Sequence, residues 1–240
     1  MRLMDGKVKI GLIIGSTIII ASIILGIFFY QAQKPRDTIQ VVGLGVKEFE
    51  ADTVKWVITL EEETGPDNLK GGYRNLENGV DTLIVELKAR GITENEINMK
   101  PPTVYKDYNY EQGIVTRIRL QKTLFVITKQ VNIIEALAFN PVELLDKGIN
   151  IMSSNLDYIY SGLDELKKTL VADATLNAKE RAETMLSNTG VKLGKLLTVR
   201  SGVFQITEPF STDVSSMGIY DTSTRKKQIS VTATAVFALK

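Results

Sequence analysis

Apolar and polar positions follow three rhythms along this chain, and each predicts a different kind of element. The first is an absence of rhythm. From Ile10 to Tyr30, IGLIIGSTIIIASIILGIFFY, no charged residue interrupts the run. At about 1.5 Å per residue a helix of that length spans roughly 30 Å, the thickness of a bilayer's hydrocarbon core. A buried globular helix keeps a polar stripe over such a distance, so the pattern predicts a transmembrane helix over residues 10–30.

The second rhythm has period two. TIQVVGLGVKEF leads, and in DTVKWVITLEEE the residues Val54, Trp56, Ile58 and Leu60 alternate with Lys55, Val57, Thr59 and Glu61. Such alternation predicts strands of a sheet covered mainly on one face. Further extended segments run from Ile97 to Tyr105, through IVTRIRLQKTLFVIT (Ile114, Ile118, Leu120, Leu124 and Val126 on one parity, interrupted by Lys122), and from Ile149 to Tyr160. LLTVRSGVFQIT and QISVTATAVFAL supply closing strands.

The third rhythm is helical. Leu69, Tyr73, Leu76, Val80, Leu83 and Leu87 recur at spacings of three and four, with Thr64 or Asp67 to cap the start, Pro66 in the first turn and Gly91 to end it. A short helix runs from Val131 to Phe139. Another opens at Asn140-Pro141, where Asn140 can cap, Glu143 can bond back and Gly148 closes. Ser161 can cap a second long helix, whose buried stripe is Leu163, Leu166, Leu170, Ala174, Ala178, Ala182 and Met185. Between the closing strands, residues 208–227 are rich in Ser, Thr and Asp and predict a long exposed loop. Strands broken by a few helices indicate an α+β fold. The chain divides into residues 1–9 before the membrane, the helix 10–30, a polar linker 31–37 and a domain over 38–240.

Charge gives that arrangement a direction. Arg2, Lys7 and Lys9 precede the apolar run and Lys34 and Arg36 follow it, a small excess that places the N-terminus in the cytoplasm and the domain outside it. A cleaved leader is the rival. Its apolar core is shorter and ends in a small-x-small site, whereas Tyr30 stands where a small residue should precede Ala32. An uncleaved anchor fits better. Removing residues 1–30 takes three cations and one anion from a chain of net charge +1, so the domain carries −1 and offers no basic field for nucleic acid. Within the helix, Gly11, Gly15, Ser22 and Gly26 fall within about 60° of one another at roughly 100° per residue, a smooth face of the kind through which membrane helices associate.

Candidate chemistry is sparse. With no His and no Cys, the usual triads, thiol nucleophiles and zinc sites cannot be assembled. Gly190-Val-Lys-Leu-Gly194-Lys195 resembles a phosphate loop, but it ends a helix and leads into a strand, is one residue short, and lacks the Ser or Thr after lysine. Gly190 reads instead as a helix cap. Ser223-Thr-Arg-Lys226 fits the S-x-x-K pattern of serine acyl enzymes but falls in the polar loop rather than at a helix start. Glu61-Glu62-Glu63 offers oxygen ligands to a hard cation or a solvated strand end. Gly43-Leu-Gly45 lacks a third glycine and indicates close backbone packing. No catalytic residue, cofactor or metal site is expected. Tyr105, Tyr108 and Tyr110 form a candidate contact patch for a partner.

Several segments resemble the SIMPL-domain (YggE-like) family. LNAKERAETMLSNTGVKLGKLLTV matches its long Ala-, Lys- and Arg-rich helix, G-V-x-L-G-K turn and following strand. IQVVGLGVKEFEADTVKWVITLEEE matches its opening strands, and the helix NLENGVDTLIVELKARGITENEI and hairpin PPTVYKDYNYEQG fall in the expected order. The resemblance implies an α+β domain, secreted or anchored on the outer side of a membrane, a tendency to form homo-oligomers, and links to envelope or oxidative stress; it supplies no catalytic set. The expected function is a non-enzymatic, membrane-anchored homo-oligomeric assembly. The alternative is a ligand-binding or sensory module that uses the tyrosine hairpin and the 208–227 loop.

Overall fold

The structure, a computed structural model, describes residues 6–33 and 37–240. Arg2, Lys34 and Arg36, most of the predicted cytoplasmic segment and the middle of the linker lie outside the described residues, as do the side chains of Lys7 and Lys9. The first helix, α1, covers Gly6–Gln33. Its stretch Ile10–Tyr30 has a mean hydropathy of 2.7 and is 0% buried, so nothing in the domain covers it. It has the length and composition of a membrane anchor or a signal sequence.

The remaining elements are β1 (Thr38–Glu50), β2 (Thr53–Thr64), α2 (Leu69–Ala89), β3 (Ile97–Met99), β4 (Thr103–Asn109), β5 (Ile114–Thr128), α3 (Val131–Ala138), α4 (Pro141–Leu145), β6 (Ile151–Ile159), α5 (Leu163–Leu186), β7 (Leu193–Ser201), β8 (Gln205–Thr207), β9 (Ile219–Tyr220) and β10 (Lys226–Leu239). The fold is α+β, with two five-stranded sheets.

Sheet 1 is built on β10. β1 lies antiparallel along one side of it, from Thr38 opposite Ala238 to Glu50 opposite Lys226. β7 and β8 share the other side, and β9 extends β8 in parallel. Helix α5 buries Leu166, Leu170, Ala174, Ala178 and Ala182 against this sheet. The approach is close because β1 presents glycine there. A Cβ on Gly43 would sit 2.8 Å from Ala178 Cα and nearer still to Ala174 O, and one on Gly45 would sit 2.6 Å from Leu170 O. The glycine pair therefore seats a helix, as its spacing in a strand indicates.

Sheet 2 is built on β2, with β5 and β6 on its two sides and β3 and β4 both along the far side of β5. Its core is made of large side chains: Trp56, Ile58 and Leu60 from β2, Leu76, Val80, Leu83 and Leu87 from α2, and Ile134 and Leu137 from α3. Trp56 Nε1 donates to Ser154 Oγ at 2.8 Å, so its one polar atom is paired with an exposed residue of the edge strand β6.

Several local expectations are corrected. α2 starts at Leu69 after a 3₁₀ turn at Pro66–Asn68, and no side chain caps it; Thr64 Oγ1 instead donates to Asn68 O. Ser161 does not cap α5, whose N-cap is Gly162; its amide and hydroxyl are held by Asp52. Asn140 makes no side-chain cap for α4, because Glu143 is drawn to Arg90 and Lys147 and ties α4 to α2. Met185, expected in the buried stripe of α5, is exposed. Lys122, the interruption in β5, stays on the core parity by pairing with Glu77 at 2.6 Å. Gly91 and Gly148 take positive φ where the chain leaves α2 and α4, as helix caps require, whereas Gly190, also at positive φ, is not the cap of α5, which ends at Leu186 with Ser187 as its C-cap.

Candidate functional site

Polar chemistry concentrates where the two sheets meet. β1 passes to β2 through Ala51 and Asp52 alone, and the segment 208–225, a strap, crosses from β8 to the edge of β6 and back to β10. Tyr158 N donates to Thr222 O at 2.8 Å, and Thr222 Oγ1 donates to Asp157 Oδ1 at 2.8 Å. Tyr158 OH donates to Glu135 Oε1 at 2.8 Å, and Glu135 Oε2 accepts from Arg225 Nη1 at 3.0 Å. Arg225 also reaches Asn132 Oδ1 and lies 2.6 Å from Glu50 Oε1. One strap residue thus bridges an acid of each half.

These environments shift the titrating groups. Burial, with Glu135 beside it, pushes the Tyr158 phenol above its ordinary range. Burial pushes the Lys227 ammonium down, against the pull of Asp221, Glu208 and Asp157. Burial would raise Asp52, yet hydrogen bonds from Ser161 and Thr53 outweigh it and hold this carboxyl low. Lys227 is 0% exposed and donates to Asp221 O at 2.5 Å. A lysine sealed in that way cannot reach a substrate; it pins the strap. The end of the 208–227 segment is therefore buried where an exposed loop is expected, because Lys227 lies on the core parity of β10.

The other sequence candidates fall elsewhere. Ser223 lies in the strap, its amide bonded to Asp221 Oδ1, and Lys226 opens β10; no helix start presents them together. Glu61, Glu62 and Glu63 are engaged by Gln121, Asn75 and Arg117 respectively. Among the described residues no group of three or more His, Cys, Asp or Glu is placed to hold a metal ion. Tyr105 and Tyr108 lie on β4, and Tyr110 stands at the hairpin tip, 93% exposed. Tyr108 and Tyr110 have ring centroids 6.5 Å apart, and Arg119 sits over the Tyr105 ring. This hairpin pairs beside the Thr64 end of β2, whereas the strap meets the Thr53 end. At about 3.3 Å per residue, the length of β2 puts roughly 35 Å between them. Tyr108 and Tyr110 stand together at the tip while Tyr105 lies three residues back on β4 against Arg119, and the strap joins none of them in a single site. In α1, a Cβ on Gly11, Gly15 or Gly26 would meet nothing within 4 Å, so the small-residue face that includes Ser22 is open.

The family model described as SIMPL, a protein of unknown function (DUF541), matches residues 39–237. The chain belongs to the SIMPL family. No curated protein matches it closely enough to count as a relative.

In this SIMPL domain the two margins of sheet 1 differ. On β1, α5 caps the outward backbone: Asn177 Oδ1 accepts from Leu44 N at 3.0 Å, and Arg181 Nη1 donates to Val42 O at 2.7 Å. On β7, no side chain among the described residues bonds the outward backbone, and Leu196, Leu197 and Val199 are 43%, 38% and 44% exposed. Asn177 and Arg181 were not singled out from the sequence. Their only signal is position, each one residue before a buried alanine, and it acquires meaning once the strand beneath is known.

Proposed function

We propose that this SIMPL protein is a non-enzymatic assembly subunit, anchored by α1 with its N-terminus in the cytoplasm, whose outer domains join copy to copy through β7. The carrying observation is the contrast between the two margins of sheet 1. A strand edge with free amides and carbonyls invites another strand, and proteins ordinarily blunt such edges with charge or cover; β7 carries Lys195 and Arg200 near its ends but exposes Leu196, Leu197 and Val199 between them. Here one margin is blunted by Asn177 and Arg181 and the other is left open. Anchoring concentrates copies in two dimensions, so a weak strand pairing suffices. The Gly11, Gly15, Ser22 and Gly26 face provides a second contact inside the bilayer.

Light scattering of the full chain in mild detergent should give a mass of several subunits at micromolar concentration. Leu197→Lys should shift it toward the monomer by at least tenfold in concentration. Serine at Tyr105, Tyr108 and Tyr110 together should leave the mass unchanged. A strictly monomeric wild type sinks the proposal, and loss of assembly in the tyrosine variant moves the contact to the hairpin.

A further inference from the structure

A cleft of about 590 Å³ lies between the first turns of α5 and the β8–β9 end of sheet 1. Its floor is Phe204, Ile206 and Ile219, with Leu163 and Met217 at the sides. Its volume falls in the range typical of small-molecule sites, roughly 300–1,000 Å³. Glycine shapes the wall: Gly218 has φ +87, and a Cβ there would sit 2.9 Å from Phe204 O. One charge stands among these residues. Lys167 Nζ lies 5.5 Å from the centre of the Phe204 ring and forms no ion pair among the described residues, whereas neighbouring Lys168 pairs with Glu165 at 3.0 Å. No Asp or Glu lines the cleft. The strap beside it also holds Phe210, Val214 and Met217 out at 89%, 81% and 92% exposure.

An apolar floor with a single unpaired cation matches a molecule that is apolar along its length and negative at one end. We propose that this cleft binds a single-chain anionic amphiphile, a medium-length alkyl carboxylate or phosphate. The chain lies on Phe204, Ile206 and Ile219, and the head meets Lys167. The amphiphile arrives as a monomer from solution. Measured along β10, Ile206 of the cleft, opposite Ile229, is about 33 Å from the Leu239 end of the strand, which pairs next to the start of the domain. The proposal is independent of assembly through β7.

The test uses the full chain in lipid nanodiscs and a decanoate carrying a photoreactive diazirine, with labelled residues mapped by mass spectrometry. Label should fall on Val203, Ile206, Met217 and Ile219. Unlabelled hexanoate, octanoate and decanoate should compete with potency rising about threefold to fourfold per added CH₂, and decanol should compete at least tenfold more weakly than decanoate. Lys167→Glu should reduce labelling at least tenfold, and the surface control Lys168→Glu should not change it. Label confined to α1, equal losses in the two lysine variants, or equal competition by decanol overturns the proposal. Labelling of the cleft by a two-chain photolipid of the disc, where decanoate gives none, also overturns it and assigns the cleft to a bilayer surface.

Discussion

In the half built on β2, α2 lowers Leu76, Val80, Leu83 and Leu87 onto Trp56, Ile58 and Leu60. In the half built on β10, α5 lowers Ala174, Ala178 and Ala182 onto a strand carrying Gly43 and Gly45. The first half stabilises its helix by the amount of apolar surface removed from water. The second buries leucine from its helix only at Leu166 and Leu170, and along Ala174 to Ala182 it draws instead on backbone-to-backbone contact over a close seat. The two designs fail in opposite directions. Removing atoms should hurt sheet 2, and adding them should hurt sheet 1.

The largest effect should come from Trp56→Ala, which empties a fully buried site: about 3–5 kcal/mol, read from the denaturant midpoint. Gly43→Ala adds one carbon where α5's backbone has no room, and should cost about 1–3 kcal/mol. The same change at Gly79, where a Cβ finds ordinary contact 3.5 Å from Leu60 Cδ2, should be neutral or stabilising, up to about 1 kcal/mol. A Gly43→Ala protein as stable as the wild type would remove the distinction between the halves.

At the junction, Tyr158→Phe should cost about 1–2 kcal/mol at pH 7, because Glu135 loses one donor in a largely buried network. Its pH dependence sharpens the assignment. The folded phenol titrates above its ordinary value of about 10, so its stabilisation is fully present below that pH and is lost as pH rises further. The gap between wild type and Tyr158→Phe should therefore narrow above about pH 10; a constant gap in chemical denaturation would place the phenol outside the network. The smallest stability effect belongs to Arg181→Ala, under about 1 kcal/mol, since Arg181 is an exposed partner of Val42 O. Its consequence should appear in size instead, as larger assemblies by light scattering once the β1 margin is uncovered.

Element types were legible in the sequence because burial is periodic. The leucine spacing of α2, the alternation of β2 and β10, and the glycines at 91 and 148 each carry a local physical requirement. The division into two sheets was not legible. β1 and β2 share the same alternation, and nothing in either shows that only Ala51 and Asp52 stand between strands of different sheets. Caps were misread at Asn140 and Ser161 because the side chain, or its expected helper, found a tertiary partner that local sequence does not contain, whereas Thr64 was diverted locally, to Asn68 O. The junction was missed for the same reason. Lys227 reads as a surface charge until the register of β10 turns it inward, and Arg225 gains its role only from acids 90 and more residues away.

The pairing of β1 with β10 sets an order on folding as well as a shape. Sheet 2 and its helices come from one uninterrupted stretch, residues 53–159, and can close as soon as that stretch is free. Sheet 1 joins Thr38 to Ala238 and must wait for the last residues of the chain. During synthesis, β1 would stand unpaired while most of the chain after it is made. Pulse proteolysis in refolding should show β2 and β5 protected before β1. The strand that waits longest is the one whose outward backbone the Asn177 and Arg181 caps later cover, so its own exposure is confined to an interval, and β7 is the edge that stays open in the finished molecule.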